Sequence, residues 1–532
     1  MRAFRGRLIA GVLAIALLSG ISVTASPAPS ASAASGTAGW LHTSKSSIKT
    51  ANNTTYVIKA VSWFGMETTT CAPHGLWTIS MDAGLAQIKS MGFNTVRLAF
   101  SNECLAGRSI NSINYDLNPS LVGKPPLEVM DAFIARSKAY GLNVILDRHR
   151  PDSSSQSPLW YTAKWTEARW IGDWKALAKR YKNNSTVIGF DLHNEPAGNA
   201  CWGCGNKKLD WRAAAIRAGN AVHTVNPRLL IIVEGVEKQP NGVHTWWGGG
   251  LQGVAAKPVT LKIKNRVVYS PHDYPASIYN QKWFSAKNYP NNLASVWDKN
   301  WGYIAKKNIA PILLGEFGTK LETKSDAQWM SKIVSYLRSN KMSFAYWSFN
   351  PNSGDTGGLM KDDWTTRQTA KLAALKPLLG APVAVPTPPA AVVPKPTTPA
   401  PTTPAPSTPA PTSPTTPGAP ATGAGSVPRA ISAKVSAQWL LQSTWQQGYV
   451  TEFELRGESG ASNWGISWSD PGVTKILSSW GANCTVVVNH SVSCTGADWA
   501  MNLPAGQTAR IGVQVESSGG APATPAPAIA GW

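Results

Sequence analysis

The sequence is short of the features that mark several large protein classes. Lys and Arg outnumber Asp and Glu by 50 to 29, a formal net charge of +21 over 532 residues, yet the basic residues are scattered. With no run of five or more and no basic helix face, they make a solvated surface rather than a nucleic-acid or anionic-surface footprint. One apolar run stands out, Leu8 to Val23; it is short for a membrane span and no second one follows. Of the 6 cysteines, Cys201 and Cys204 have the spacing of half a metal site, but no second Cys or His pair lies near them. No glycine-rich phosphate loop follows the first strand pattern, where Trp63-Phe64-Gly65 stands instead, which argues against an open dinucleotide-binding sheet.

What is present falls into segments. Residues 1–33 begin with Arg2, Arg5 and Arg7, continue through the apolar run and reach Ala31-Ser32-Ala33, the layout of a secretory signal peptide, with a retained anchor as the alternative. An exported, extracellular chain with no membrane attachment after cleavage is expected, and its cysteines are then free to oxidise. Residues 382–425 are almost all Pro, Thr, Ala, Ser, Val and Gly, a linker that cannot bury a core. At about 3.1 Å per residue in polyproline form it would hold two domains up to roughly 120 Å apart.

Between them, residues 38–380 read as one domain. A turn-rich start, with Asn52-Asn53 separating two short strand-like pieces, suits a hairpin closing the bottom of a barrel. Strand patterns then recur at Tyr56–Trp63, Thr95–Phe100, Leu142–Leu146, Val187–Leu192, Leu229–Val233, Val267–Pro271, Ile312–Gly315 and Phe344–Phe349. Helical patterns lie between, such as Pro126 to Tyr140 with Leu127, Met130, Phe133 and Ile134 on one face. Strands alternating with helices in this number predict an α/β fold, a (β/α)8 TIM barrel.

Chemistry gathers at the strand ends: Trp63; Arg97; Asp147 and His149; Asn194 and Glu195; Glu234; His272 and Tyr274; Glu316; Trp347. A barrel keeps its site at that one face. Glu195 follows Val187-Ile188-Gly189-Phe190 and precedes Pro196, which should stop the strand, and Glu316 follows Ile312-Leu313-Leu314 between Gly315 and Gly318. Two carboxylates facing one another across a sugar bond make a glycosidase. Arg97 is suited to keep Glu316 ionised, and the Glu316 charge in turn raises the pKa of Glu195 so that it holds a proton. Asn194 can donate to a sugar 2-hydroxyl, Tyr274 can fix the rotamer of the ionised carboxylate, and Trp347 offers a flat face to a pyranose. The alternatives are satisfied core histidines at His149 and His272 and simple core filling at Trp63.

These residues resemble a known family. Asn194-Glu195-Pro196, Gly315-Glu316-Phe317-Gly318, Ile145 to Asp152 and Trp63-Phe64-Gly65-Met66-Glu67-Thr68 are similar to glycoside hydrolase family 5, near its secreted actinobacterial endo-β-1,4-glucanases. The similarity runs from about Gly39 to Leu379 and includes Cys201 to Gly205, Trp246-Trp247-Gly248-Gly249 and Ser353 to Gly358. It implies a retaining mechanism with Glu195 as acid/base and Glu316 as nucleophile, carboxyl groups about 5 to 5.5 Å apart, and Arg97, His149, Asn194, His272, Tyr274 and Trp347 as the remaining site positions. It also implies a departure: similar proteins carry a cysteine where Ser153 stands, pairing near Cys71, whereas here Asn102-Glu103-Cys104 is inserted after the second strand. A Cys71–Cys104 pair is therefore expected, with Cys201–Cys204 pairing locally.

Residues 426–520 change character, with six tryptophans among alternating strands such as Thr451–Leu455, and read as an all-β sandwich. Cys484 and Cys494 flank an apparent hairpin at Asn489-His490. The stretch resembles a family 2 carbohydrate-binding module through Trp445-Gln446-Gln447-Gly448-Tyr449, Asn463 to Trp468, Ser479-Trp480 and Leu503 to Gln507. That resemblance implies a cellulose-binding surface of Trp445, Trp480 and Trp499, with Trp464 and Trp468 in the core. Residues 521–532, rich in Pro and Ala, read as a tail outside the fold.

Together these features predict a secreted monomer that hydrolyses internal links of cellulose or a related β-1,4-glucan, using no metal and no organic cofactor. The alternatives are the same chemistry on β-mannan or xylan, a non-catalytic cellulose-binding surface protein, and a metal-dependent hydrolase using His149, His193 and His272.

Overall fold

The structure is a computed structural model that describes residues 36–110, 112–383, 385 and, with gaps at 432–433, 446–447, 462–463, 488–489, 498–499 and 523–527, residues 429–531. The expected signal peptide, the expected linker beyond residue 385 and Trp499 lie outside the described residues.

Strands β1 (Leu41–Ser44) and β2 (Ser47–Thr50) form the expected hairpin, but its turn is at Lys45-Ser46, where Lys45 takes φ 51°. The Asn52-Asn53 turn comes next, between β2 and a bridge from Lys49 to Thr55. Eight parallel strands follow: β3 (Lys59–Met66), β4 (Thr95–Ser101), β5 (Asn143–Arg150), β6 (Val187–Asp191), β7 (Leu230–Glu234), β8 (Val267–Ser270), β9 (Leu313–Phe317) and β10 (Ser343–Tyr346). They pair in the order β8-β7-β6-β5-β4-β3-β10-β9, and parallel bridges Tyr269–Ile312 and His272–Glu316 join β8 to β9 and close the barrel.

Alternation along the strands divides the barrel into layers. Ala60, Ile145, Ile188, Ile232, Val268, Leu313 and Ala345 pack together in the lower interior with Leu41 and Ile48 of the hairpin, so the bottom is dry and plugged. Two residues further along three of these strands stand Asp147, Glu234 and Ser270. The intervening residues, among them Trp63, Val96, Leu98, Leu146 and Val233, face outward into the main core with the helices. Helix Pro126–Ala139 buries Val129, Met130, Phe133 and Ile134; Leu127, expected on that face, is only half-buried. Side-chain caps from Ser80, Thr166, Asp210 and Thr323 fix four helix starts after strand-end loops.

The C-terminal module is a pair of antiparallel sheets. Strands β11 (Arg429–Ile431), β12 (Val435–Trp445), β13 (Gly448–Gly457), β18 (Thr508–Ser517) and β15 (Val473–Trp480) make one; β16 (Ala482–Val487), β17 (Ser491–Gly496), β14 (Trp464–Ser469) and β19 (Ala528–Gly531) make the other. Trp439, Phe453, Trp464, Trp468, Ile511 and Val513 fill its core. The tail reading of 521–532 needs correcting, because Ala528–Gly531 pairs with Trp464–Ser467 and extends the second sheet. Backbone pairing does not require a bulky side chain, so an Ala-rich segment can serve as an edge strand.

Three disulfides are formed: Cys71–Cys104, Cys201–Cys204 and Cys484–Cys494, the last between directly paired residues of β16 and β17. Cys71–Cys104 spans 33 residues and ties the loop after β3 to the turn after β4. In the chain-entropy model such a loop contributes about 3 to 4 kcal/mol. The double variant Cys71→Ser/Cys104→Ser should therefore melt several degrees lower in calorimetry; an unchanged melting temperature would show that the unfolded chain is not constrained there.

Candidate active site

The upper interior of the barrel is organised by one guanidinium. Arg97, flanked by the outward-facing Val96 and Leu98, points inward and is fully buried. Its nitrogens lie 3.2 Å from Asp147, 3.0 Å from Asp191, 3.2 Å from Glu234 and 2.6 Å from Glu316, and Nη2 also donates to Asn194 Oδ1 at 2.9 Å. Lysine could not make this set, since it lacks the planar fork.

Glu316 has each oxygen assigned a donor: Oε1 accepts from Arg97, and Oε2 from the Tyr274 hydroxyl at 2.8 Å. Burial alone would raise its pKa, but His272, Arg97 and His149 together with the Tyr274 hydrogen bond hold it below the usual carboxylate range. Glu195 faces it across the cavity, an oxygen of each lying within 4.8 Å of the other and of a His272 nitrogen. Glu195 Oε1 is 3.0 Å from His272 Nδ1. Burial first, then the charges of Glu316 and Glu234, raise the Glu195 pKa against the pull of His272. The two carboxyls are thus pushed in opposite directions, Glu316 toward the ionised form and Glu195 toward the protonated one.

The other expected positions divide. His149 is anchored by Asp147 Oδ2 at 2.6 Å from its Nδ1 and lies parallel to Trp347, ring centroids 5.2 Å apart; Phe64 lies parallel to the same indole at 5.4 Å. Asn194 Nδ2 approaches His149 Nε2 at 3.4 Å. Trp347 remains half-buried at the cavity, while Trp63 does not belong to the site. Trp63 is fully buried on the outer wall against Phe133 and Phe349, with its Nε1 donating to His74 O at 2.8 Å. Outward alternation put it there. Strand β6 also ends earlier than Pro196 suggests, at Asp191, and leaves Leu192 to Pro196 as irregular chain. His193 is buried away from the cavity, its Nδ1 2.7 Å from Arg148 Nη1.

Sequence reasoning passed over Asp147, Asp191 and Glu234 as partners of Arg97, although Asp147 and Glu234 stood at strand ends like the residues it chose. Of the module's expected surface, Trp445 and Trp480 end β12 and β15, but their side chains, like all of Trp499, are outside what is described. Among the described residues, three carboxylate or carboxylate–histidine sets have ligand atoms within 4.8 Å of one another: Asp147/His149/Glu316, Glu195/His272/Glu316 and Asp147/Asp191/Glu234. In the last, all three carboxylates already converge on the Arg97 guanidinium, which fills a cation's place.

The cellulase family, glycosyl hydrolase family 5, matches residues 51–353. The chain belongs to this family. A cellulose binding domain matches residues 435–532. The chain is 51% identical over 333 residues to an endoglucanase of Paenibacillus polymyxa, covering 62% of this chain and 84% of that protein. It is 41% identical over 331 residues to the major extracellular endoglucanase of Xanthomonas campestris, covering 61% and 68%. Among solved structures, the catalytic domain of the major endoglucanase from Xanthomonas campestris aligns with a TM-score of 0.62 at 39% identity, covering 64% of this chain and 100% of that one. An endocellulase of Pyrococcus horikoshii aligns at 0.61 and 37%, again covering 64% and 100%.

The opposed shifts in this family 5 barrel are open to direct test. Since the Glu316 charge is one cause of the raised Glu195 pKa, Glu316→Gln should lower it. Infrared difference titration should show the carboxyl band that Glu195→Gln removes moving to lower pH in the Glu316→Gln variant. A band that stays in place would remove Glu316 as a cause.

Proposed function

We propose that this chain is an exported endo-β-1,4-glucanase that cleaves internal bonds of cellulose with retention, acts as a monomer and is held on the polymer by its C-terminal module. The observation that carries the reading is the carboxyl pair: Glu195 and Glu316, oxygens within 4.8 Å, with pKa values pushed in opposite directions. That separation leaves no room for a water to attack between them, as inversion requires. Among the described residues no helix is long and apolar enough to cross a membrane.

In this mechanism the ionised Glu316 attacks the anomeric carbon, and the glycosidic C–O bond breaks as the Glu195 proton passes to the leaving oxygen. Water then attacks the glycosyl ester from the vacated side and gives its proton to Glu195, which releases the sugar and restores both groups. Arg97 and Tyr274 hold the nucleophile in one rotamer, Asn194 is placed to bind the 2-hydroxyl, and the exposed part of Trp347 supports the ring.

The deciding experiment is release of reducing ends from carboxymethyl-cellulose, β-mannan and xylan, alongside Glu316→Ala. Cellulose derivative should be cleaved and the variant slowed by about a thousandfold or more. Cleavage of mannan or xylan alone would keep the chemistry and change the substrate, and no cleavage of any would favour a pure binding protein. For the module, replacing Trp445, Trp480 and Trp499 together by Ala should abolish sedimentation with crystalline cellulose while leaving hydrolysis of the soluble derivative intact; retained sedimentation would rule out that surface.

A further inference from the structure

Glu195 is held in an unusual way for a residue whose side chain must be aimed. Its φ is 56°, the left-handed region that a residue with a Cβ rarely occupies, and it stands in irregular chain beyond the end of β6. Something must hold it there. Its backbone N–H donates to Glu234 Oε2 at 2.7 Å. The other oxygen of Glu234 lies 3.3 Å from His272 Nε2, and the opposite nitrogen of that imidazole, Nδ1, is the one 3.0 Å from Glu195 Oε1. Glu234 therefore reaches Glu195 twice, once at its main chain and once through His272 at its carboxyl. Arg97 Nη2, 3.2 Å from Glu234 Oε1, keeps the clamp itself in place.

The surrounding chain is shaped to admit this arrangement. A Cβ on Gly248, in the Trp246-Trp247-Gly248-Gly249 stretch, would fall 2.5 Å from Glu234 Oε2 and 3.4 Å from the Glu195 Cα. The same loop latches the turn from above, with Glu237 N donating to Pro196 O at 3.1 Å and Gly235 N to Gly248 O at 2.8 Å. On the far side, a Cβ on Gly315 would fall 2.1 Å from Ser270 Oγ and 3.1 Å from His272 Nε2. Two glycines thus leave space for one carboxylate and one imidazole.

We infer that Glu234 is a positioning residue for proton transfer: it fixes the Glu195 backbone and the His272 ring so that the Glu195 carboxyl meets the leaving-group oxygen. The inference rests on the acid/base assignment of Glu195. In the first step, which kcat/KM reads, loss of the clamp should then harm only bond cleavage that needs a proton.

The test uses the full-length chain and compares kcat/KM for cellotetraose, whose leaving group must be protonated, with kcat/KM for dinitrophenyl β-cellobioside, whose leaving group needs none. Glu234→Gln keeps shape and one acceptor, and should lose about 10- to 100-fold on cellotetraose with less than about a threefold change on the activated substrate. Gly248→Ala, which presses on the clamp without removing its charge, should show the same split and serves if the first variant fails to fold by circular dichroism. Equal losses on both substrates, or none, would overturn the inference. Glu195→Gln is the reference: if it shows the split and the clamp variants do not, the clamp alone is wrong, and if it lacks the split, the assignment of Glu195 falls with it.

Discussion

One buried guanidinium sets the electrostatics on which the site depends. Removing Arg97 would leave Asp147, Asp191, Glu234 and Glu316 facing one another in a closed interior, a cost of several kcal/mol that the barrel could lower only by taking up protons or water. Even with Arg97 present the charges do not balance. Burial and the neighbouring Glu234 push Asp191 well above the usual carboxylate range, and His149 and His272 are raised by the surrounding acids despite their burial. The proton distribution is uneven because the donors are. Arg97 reaches Glu316 but has no bond to Glu195, so direct contact favours the charged form of one carboxyl while the other is left to the effects of burial and repulsion.

A charged interior of this kind needs a stiff wall, and tryptophan supplies it. Trp170 and Trp174 both donate their indole N–H to Leu192 O, at 2.9 and 3.1 Å, and Trp211 donates to Glu234 O at 2.9 Å. These carbonyls lie where the strands run out and the ladder no longer supplies partners. Each indole therefore caps a strand end from outside while its ring packs between barrel and helix, joining a hydrogen bond to a large buried area. The carbonyls of Leu192 and Glu234 belong to the segments that carry Glu195 and its clamp, so the wall is linked to the chemistry through the main chain.

Much of this was legible in the chain, and the failures follow from particular physical causes. Period-two patterns located all the barrel strands to within a few residues, since buried parallel strands are nearly continuous apolar runs. Trp63 was misplaced because it was judged by its strand-end position alone. Ala60 faces inward, and counting along the pleat puts Ser62 in and Trp63 out. Asp191 gave less warning, since the apolar pattern carried the strand on to Leu192 whereas β6 ends at Asp191. The closing bridges, Tyr269 to Ile312 and His272 to Glu316, join segments over forty residues apart and leave no local trace. The last strand, Ala528–Gly531, has a single strand-forming residue, Ile529, among Ala and Gly, and is recognisable only from its partner.

The turn after β4 ties two neighbouring loops at once, one through a covalent bond and the other through polar contacts. Cys104 bonds to Cys71 and so commits the turn to the loop after β3. Its neighbour Glu103 turns to the loop after β5, where Oε2 accepts from both the N–H and the hydroxyl of Ser153 at 2.8 Å, and Oε1 accepts from Lys164 at 3.1 Å. Asn102 completes the set, accepting from Arg148 at 2.6 Å and donating to Asp173 at 2.7 Å. The turn is thus tied to one loop by a disulfide and to the other by charged hydrogen bonds. The Ser153 backbone N–H, as the leading cause, holds the Glu103 pKa at about 2. Because the folded pKa is depressed, the contribution is present above the ordinary glutamate range and is lost only as pH falls toward that value, so the polar tie, like the disulfide beside it, persists through any moderately acidic medium.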